Sequence, residues 1–213
     1  MLAAVAAICV SSCREDGVDG PVEMTFTDMA SFLGNGADGS GATFVVRQDG
    51  DSPEAILTCG VSLADAEPGT RMLIMYANAD NLPYASGPVR LYGASRVTQG
   101  PLKPELDPLW GTTPVYLLSA WRTGTWLNFR VRLPYSKEPR VFSLMADEAT
   151  LSTEWPEVYL AHIMDPDEAD GHDRGYYASF DISSLWLDEK VKGIVLHVNN
   201  SNLDKHIFTF AKP

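Results

Sequence analysis

Basic residues are scarce in this chain: 16 Lys and Arg stand against 28 Asp and Glu, a net charge of −12 over 213 residues. A surface this negative repels a phosphate backbone, so nucleic-acid binding would need a concentrated basic stripe. The sequence contains none, and no nucleic-acid partner is expected. Cysteine is nearly absent too, and the three present, Cys9, Cys13 and Cys59, do not supply a disulfide framework. No run reaches the roughly 20 apolar residues that a membrane-spanning helix needs. A Gly-x-Ser-x-Gly nucleophile elbow is missing, and so is a phosphate-cradling loop. The stretch 34–41 has the glycines of such a loop but lacks the Lys and the following helix. These absences favour a non-catalytic protein with no cofactor. What remains, 45% hydrophobic residues, is ample for a globular core.

The first twelve residues form an apolar, alanine-rich run that ends Val10-Ser11-Ser12, and charges begin abruptly after Cys13. This is the pattern of a secretory signal over 1–12. Val10-Ser11-Ser12-Cys13 is similar to a bacterial lipobox, with Val10 where Leu is usual, so Cys13 is the expected lipidation site. A lipid with several acyl chains would anchor the chain without any spanning helix. Cys59 would then be the one free thiol, and its place in the apolar run 55–59 makes it a small core residue.

Residues 13–23 are polar and read as a tether. From residue 24 the period of strands begins. Short β-rich runs at 43–47, 55–58, 71–76 and 89–97 are separated by Gly, Asp, Asn and Pro clusters. They predict a small β-barrel domain over 24–100. Pro101, Pro104, Pro108 and Pro114 make 101–114 an extended joint, with Trp110 packed against one of its neighbours. Residues 115–213 repeat the strand grammar, with runs at 115–121, 127–133, 141–145, 158–163, 176–181, 193–199 and 207–210. Leu127, Phe129, Val131 and Leu133 alternate with Asn128, Arg130, Arg132 and Pro134, which predicts one buried face and one facing water. Seven such strands suit a two-sheet sandwich. Helix is expected only at 183–188, capped by Ser183 or Ser184. The fold class is all-β.

Taken together, the lipobox, Gly69-Thr70-Arg71-Met72-Leu73-Ile74-Met75-Tyr76, the proline-bearing joint, Trp126-Leu127-Asn128-Phe129-Arg130-Val131 and Gly175-Tyr176-Tyr177-Ala178-Ser179-Phe180-Asp181 resemble the NigD-like lipoproteins of Gram-negative anaerobes. The resemblance implies an N-terminal OB-like barrel before an immunoglobulin-like sandwich. It also implies a link to bacteriocin immunity and no recognised catalytic residues. In such bacteria a short acidic stretch after the lipidated Cys can direct display on the outer face of the outer membrane. Glu15 and Asp16 are the candidate export signal here; otherwise the protein faces the periplasm. The expected function is a lipid-anchored envelope module that binds a protein or glycan partner at the cell surface.

Two constellations offer an alternative. Residues 141–173 hold nine carboxylates and no Lys or Arg, and Asp165, Asp167 and Asp170 supply the hard oxygen ligands that Ca²⁺ prefers. The spacing is not that of an EF-hand, since Ala169, Asp170 and Tyr176 occupy positions 5, 6 and 12. His162, His172, His197 and His206 match no zinc pattern and read as surface or satisfied histidines. The second constellation is aromatic. Trp126, out of phase with the apolar face of its strand, and Trp155 are the candidate platform for a sugar ring. A Ca²⁺-dependent or aromatic-platform glycan binder is therefore the competing reading, and a carboxylate-based glycan-acting enzyme stands behind it.

Overall fold

A computed structural model describes residues 23–136, 140–163 and 170–213. The expected signal, Cys13, Glu15, Asp16, Asp165 and Asp167 lie outside the described residues, as does the side chain of Asp170. The chain forms fourteen strands among the described residues, and helix is confined to α1 (Ser183–Trp186) and one 3-10 turn (Glu148–Thr150). The all-β class is correct.

The first module is built from β1 (Phe26–Asn35), β2 (Ala42–Arg47), β3 (Glu54–Cys59), β4 (Arg71–Ala77), β5 (Gly87–Pro88) and β6 (Arg90–Arg96). Strict alternation in β2 and β3 buries Phe44, Val46, Ala55 and Leu57 against Phe32, Ile74 and Tyr76. Cys59 belongs to this core, with its thiol donating to the Val61 carbonyl at 3.4 Å. The sheet order is β5-β3-β2-β1-β4-β6. β5 and β6 are separated only by Val89, yet they occupy opposite edges, so the sheet must roll until those edges meet. Val89 N–H donates to the Thr58 carbonyl at 2.7 Å, while Arg90 pairs with Ala77 across the gap. The expected barrel is thus a rolled sheet whose edges meet through one strand broken at Val89, not a hydrogen-bonded cylinder. Gly41 permits its tight corner. Its φ is +68°, and a Cβ there would lie 2.3 Å from the Cys59 carbonyl oxygen.

The second module is a sandwich of two four-stranded sheets. One has the order β7 (Thr98–Pro101), β12 (Asp170–Asp181), β9 (Trp126–Tyr135), β8 (Tyr116–Thr123). The other runs β10 (Val141–Ala146), β11 (Glu157–Ile163), β13 (Gly193–Val198), β14 (Ile207–Ala211). Both sheets mix parallel and antiparallel pairs. Leu127, Phe129, Val131 and Phe180 face Phe142, Leu144, Leu160 and Leu196 in one continuous core. β7 enters this sandwich ahead of the proline-bearing segment, so the chain passes between modules across Val97 alone. Trp110 packs edge-on against Tyr159, with ring centroids 4.8 Å apart. The cap of α1 is not Ser183 or Ser184. Asp181 accepts from the Ser183 N–H at 2.8 Å, and Ile182 occupies the cap position.

Candidate functional site

The two modules meet at Arg71, the first residue of β4, which reaches into β9 and β12 through polar contacts. Asn128, expected to face water, is fully buried there because the first module covers that part of the sheet. Its Oδ1 accepts from Arg71 Nη2 at 3.0 Å and from Ser179 Oγ at 2.8 Å, and its Nδ2 donates to Thr123 Oγ1 at 2.9 Å. Arg71 also donates from Nε to Ser179 Oγ (3.0 Å) and from Nη1 to Ser31 Oγ (2.9 Å). Its guanidinium lies 5.0 Å from the Trp126 ring centre. Burial lowers the Arg71 pKa to about 10, which leaves the group charged at neutral pH.

A second joint sits at the tip of the β8–β9 hairpin, a two-residue turn with Gly124 at φ +58°. Gly50 N–H donates to the Arg122 carbonyl and Gly124 N–H to the Gly50 carbonyl, both at 2.7 Å. Arg122 clasps Asp51 with both terminal nitrogens, at 2.8 and 2.6 Å, and stacks 4.0 Å from the Trp186 ring centre. That hydrogen bond, with the attraction of the Arg122 charge, holds the Asp51 carboxyl below the usual carboxylate range.

The modules leave a cleft that borders both joints. Its wide part, about 520 Å³, is lined by Asp28, Arg47 and Tyr84 from the first module and Trp121, Arg130 and Tyr177 from the second. Its narrow part, about 190 Å³, has Arg71, Glu54, Thr123, Thr125 and Trp126 in its walls. The two parts share Met29 and Arg47 and so adjoin. The wide part falls within the range of small-molecule sites, about 300–1,000 Å³.

Several features fix this geometry. Tyr76 and Tyr84 hydroxyls donate to the two oxygens of Asp28 at 3.0 and 2.7 Å. Burial, together with the Asp28 carboxylate, pushes both phenols well above their usual range, so they stay protonated donors. Tyr84 holds a left-handed backbone, φ +57°, an uncommon state for a bulky residue. Asn78 braces its loop through two hydrogen bonds with Leu82. Arg47 is fixed by Glu54 at 2.8 Å and by the Ser52 carbonyl.

The sequence-derived binding pair is not brought together. Trp126 is half-buried in the narrow part of the cleft, whereas Trp155 is 38% exposed in the loop before β11, its ring pressed on Gly193 of the other sheet. Among the described residues, no group of His, Cys, Asp or Glu converges as a metal site. The histidines part ways. His162 is fully buried and stacked on Phe142, while His197 stacks on Tyr159 and lies 2.8 Å from Glu157. Asp28, Tyr84, Arg130 and Tyr177 were not singled out from the sequence, because they come from four separate strands and loops. One signal was available: Arg71 opens an otherwise apolar strand.

The fold and cleft define a class: a two-module all-β protein, a rolled sheet followed by a sandwich, with a pre-shaped groove between them. Solved structures share that architecture over nearly the whole chain. A protein of unknown function from Bacteroides vulgatus matches with a TM-score of 0.68 at 17% identity, covering 89% of this chain and 92% of its own. A NigD-like immunity protein from Bacteroides caccae matches with a TM-score of 0.59 at 19% identity, covering 88% and 92%. A protein described as a lipoprotein from Bacteroides fragilis gives 0.56 at 13% identity, covering 89% and 96%. The resemblance to NigD-like proteins drawn from the sequence is therefore met by a shared fold. No family model matches the chain, and no curated protein does. Among the described residues no helix is long and apolar enough to cross a membrane.

Proposed function

We propose that this chain is a non-catalytic, lipid-anchored envelope protein that binds its partner in the cleft between its two modules. The observation that carries the reading is the pre-set lining of that cleft. Rings at Tyr84, Trp121 and Tyr177 line it together with the polar groups of Asp28, Arg47 and Arg130 on two β scaffolds. Rings offer large contact area at low entropic cost, and fixed polar groups orient a ligand. A binding site needs nothing more. The anchor rests on Cys13 following its apolar run, and the fold likeness to a described lipoprotein supports it. Display at the cell surface rests on Glu15 and Asp16 alone.

Retention of the soluble domain on immobilised polysaccharides, compared between wild type and Trp121→Ala, tests the site. Wild type retained and the variant lost is the expected result, and equal retention of both would place binding elsewhere, with the exposed Trp155 face as the next location. Mass spectrometry of the membrane-extracted protein is expected to find lipid on Cys13. Protease treatment of intact cells is expected to cut wild type and to spare Glu15→Ala/Asp16→Ala; cells in which neither is cut would have the protein facing the periplasm.

A further inference from the structure

Arg71 is 3% exposed, and among the described residues no carboxylate pairs with it. A guanidinium taken out of water is costly unless an anion or a full set of acceptors offsets it. Here the acceptors are three neutral oxygens, from Ser31, Asn128 and Ser179. An arginine has five N–H donors, so two are left over. The group is held in place on one side by the Trp126 ring and on another borders the narrow pocket. The remaining charges of that pocket, Arg47 and Glu54, neutralise each other at 2.8 Å. The narrow part of the cleft thus carries a net charge of +1 inside a molecule of net charge −12.

We infer that the narrow end of the cleft is a carboxylate subsite and that its ligand is an acidic saccharide of the uronic-acid kind, with the carboxylate against Arg71 and the sugar ring on Trp126. The inference rests on the cleft being the binding site, as proposed above, and adds the ligand class. A planar carboxylate accepts two N–H bonds, and Arg71 has one N–H left on each terminal nitrogen. A saccharide is favoured over a peptide because the cleft lining combines rings, Trp126, Trp121 and Tyr177, with hydroxyl-bearing residues, Thr125 and Ser119. That combination suits a chain of rings edged with hydroxyls.

Titration calorimetry on the intact soluble domain, with trigalacturonate and its neutral methyl ester as probes, tests this. The acid is expected to bind at least about tenfold more tightly than the ester. In Asn128→Asp, which gives Arg71 an anion of its own, the ratio of the two affinities is expected to fall to near one. Equal wild-type affinities would overturn the carboxylate subsite while leaving the cleft as a saccharide site. Binding of neither probe would overturn the saccharide reading itself. An acidic tripeptide bound as tightly as trigalacturonate would overturn the choice of ligand class. An undiminished acid preference in Asn128→Asp, with thermal unfolding showing the variant folded, would place the carboxylate away from Arg71.

Discussion

Two arginines join the modules, and they are treated in opposite ways. Arg122 meets Asp51 through both terminal nitrogens, receives a ring face from Trp186, and also donates to the Gly124 carbonyl. Its charge is cancelled where it stands. Arg71 is buried as deeply but is met by hydroxyls, an amide and a ring. Its charge is spread over neutral dipoles and stays uncancelled beside a pocket. A joint whose sole task is to fix two modules is best served by the first arrangement. The second keeps a positive charge available at the floor of a groove, which is the property a ligand site uses.

The contrast is open to attack through stability. Asn128→Leu removes the acceptor of Arg71 Nη2 and of Ser179 Oγ and leaves a buried cation short of partners, a change expected to cost about 3–5 kcal/mol. Asp51→Asn is milder, about 1–2 kcal/mol, because Asp51 is half exposed and Arg122 keeps the Gly124 carbonyl and the Trp186 ring. Urea unfolding of both variants at pH 7 ranks them. Equal losses would mean that the two joints carry charge in the same way. The Asp51 contribution also has a pH signature. Its folded pKa is depressed, so the stabilisation is present above the unfolded carboxylate range and lost as pH falls through the folded value. Asp51→Asn is expected to flatten that acid limb of the stability profile, and an unchanged limb would place the acid lability elsewhere.

How much of this was legible in the sequence follows from which interactions are local. Most strands were, since alternation such as that of β2, β3 and β9 is written into neighbouring residues. β1 was not. Its run Thr27-Asp28-Met29-Ala30-Ser31 is poor in β-branched residues and resembles no strand, yet it is the strand that pairs with both β2 and β4. Neighbours on two sides override weak propensity. Asn128 and Trp126 show the same limit at the site. Period-two alternation correctly sets both out of phase with Leu127 and Phe129, but it cannot say that a second module covers that face. The rolled sheet was read as a barrel because the break at Val89 is a property of how two edges meet, not of any residue run. The cleft itself joins positions from 28 to 177, and no spacing in the chain marks them as neighbours.

His162 sharpens the comparison from a third direction, since here the protein keeps the group uncharged. Its ring is 1% exposed, stacked 4.9 Å from Phe142 across the β10–β11 ladder. Burial first, and the nearby Arg140 charge second, lower its pKa to about 4. The unfolded chain, with an ordinary imidazole pKa near 6.5, then binds a proton that the folded chain refuses. Stability is therefore complete above about pH 7 and declines as pH falls from about 6.5 toward 4, with a loss below about 1 kcal/mol at pH 6. His162→Phe keeps an aromatic ring against Phe142 and has no proton to bind. Its stability is expected to be level between pH 7.5 and 6, where the wild type slopes gently downward in urea midpoints measured at half-unit steps. Parallel profiles would mean that His162 takes its proton inside the fold, and that charge is tolerated in the sandwich core without either device seen at the two arginines.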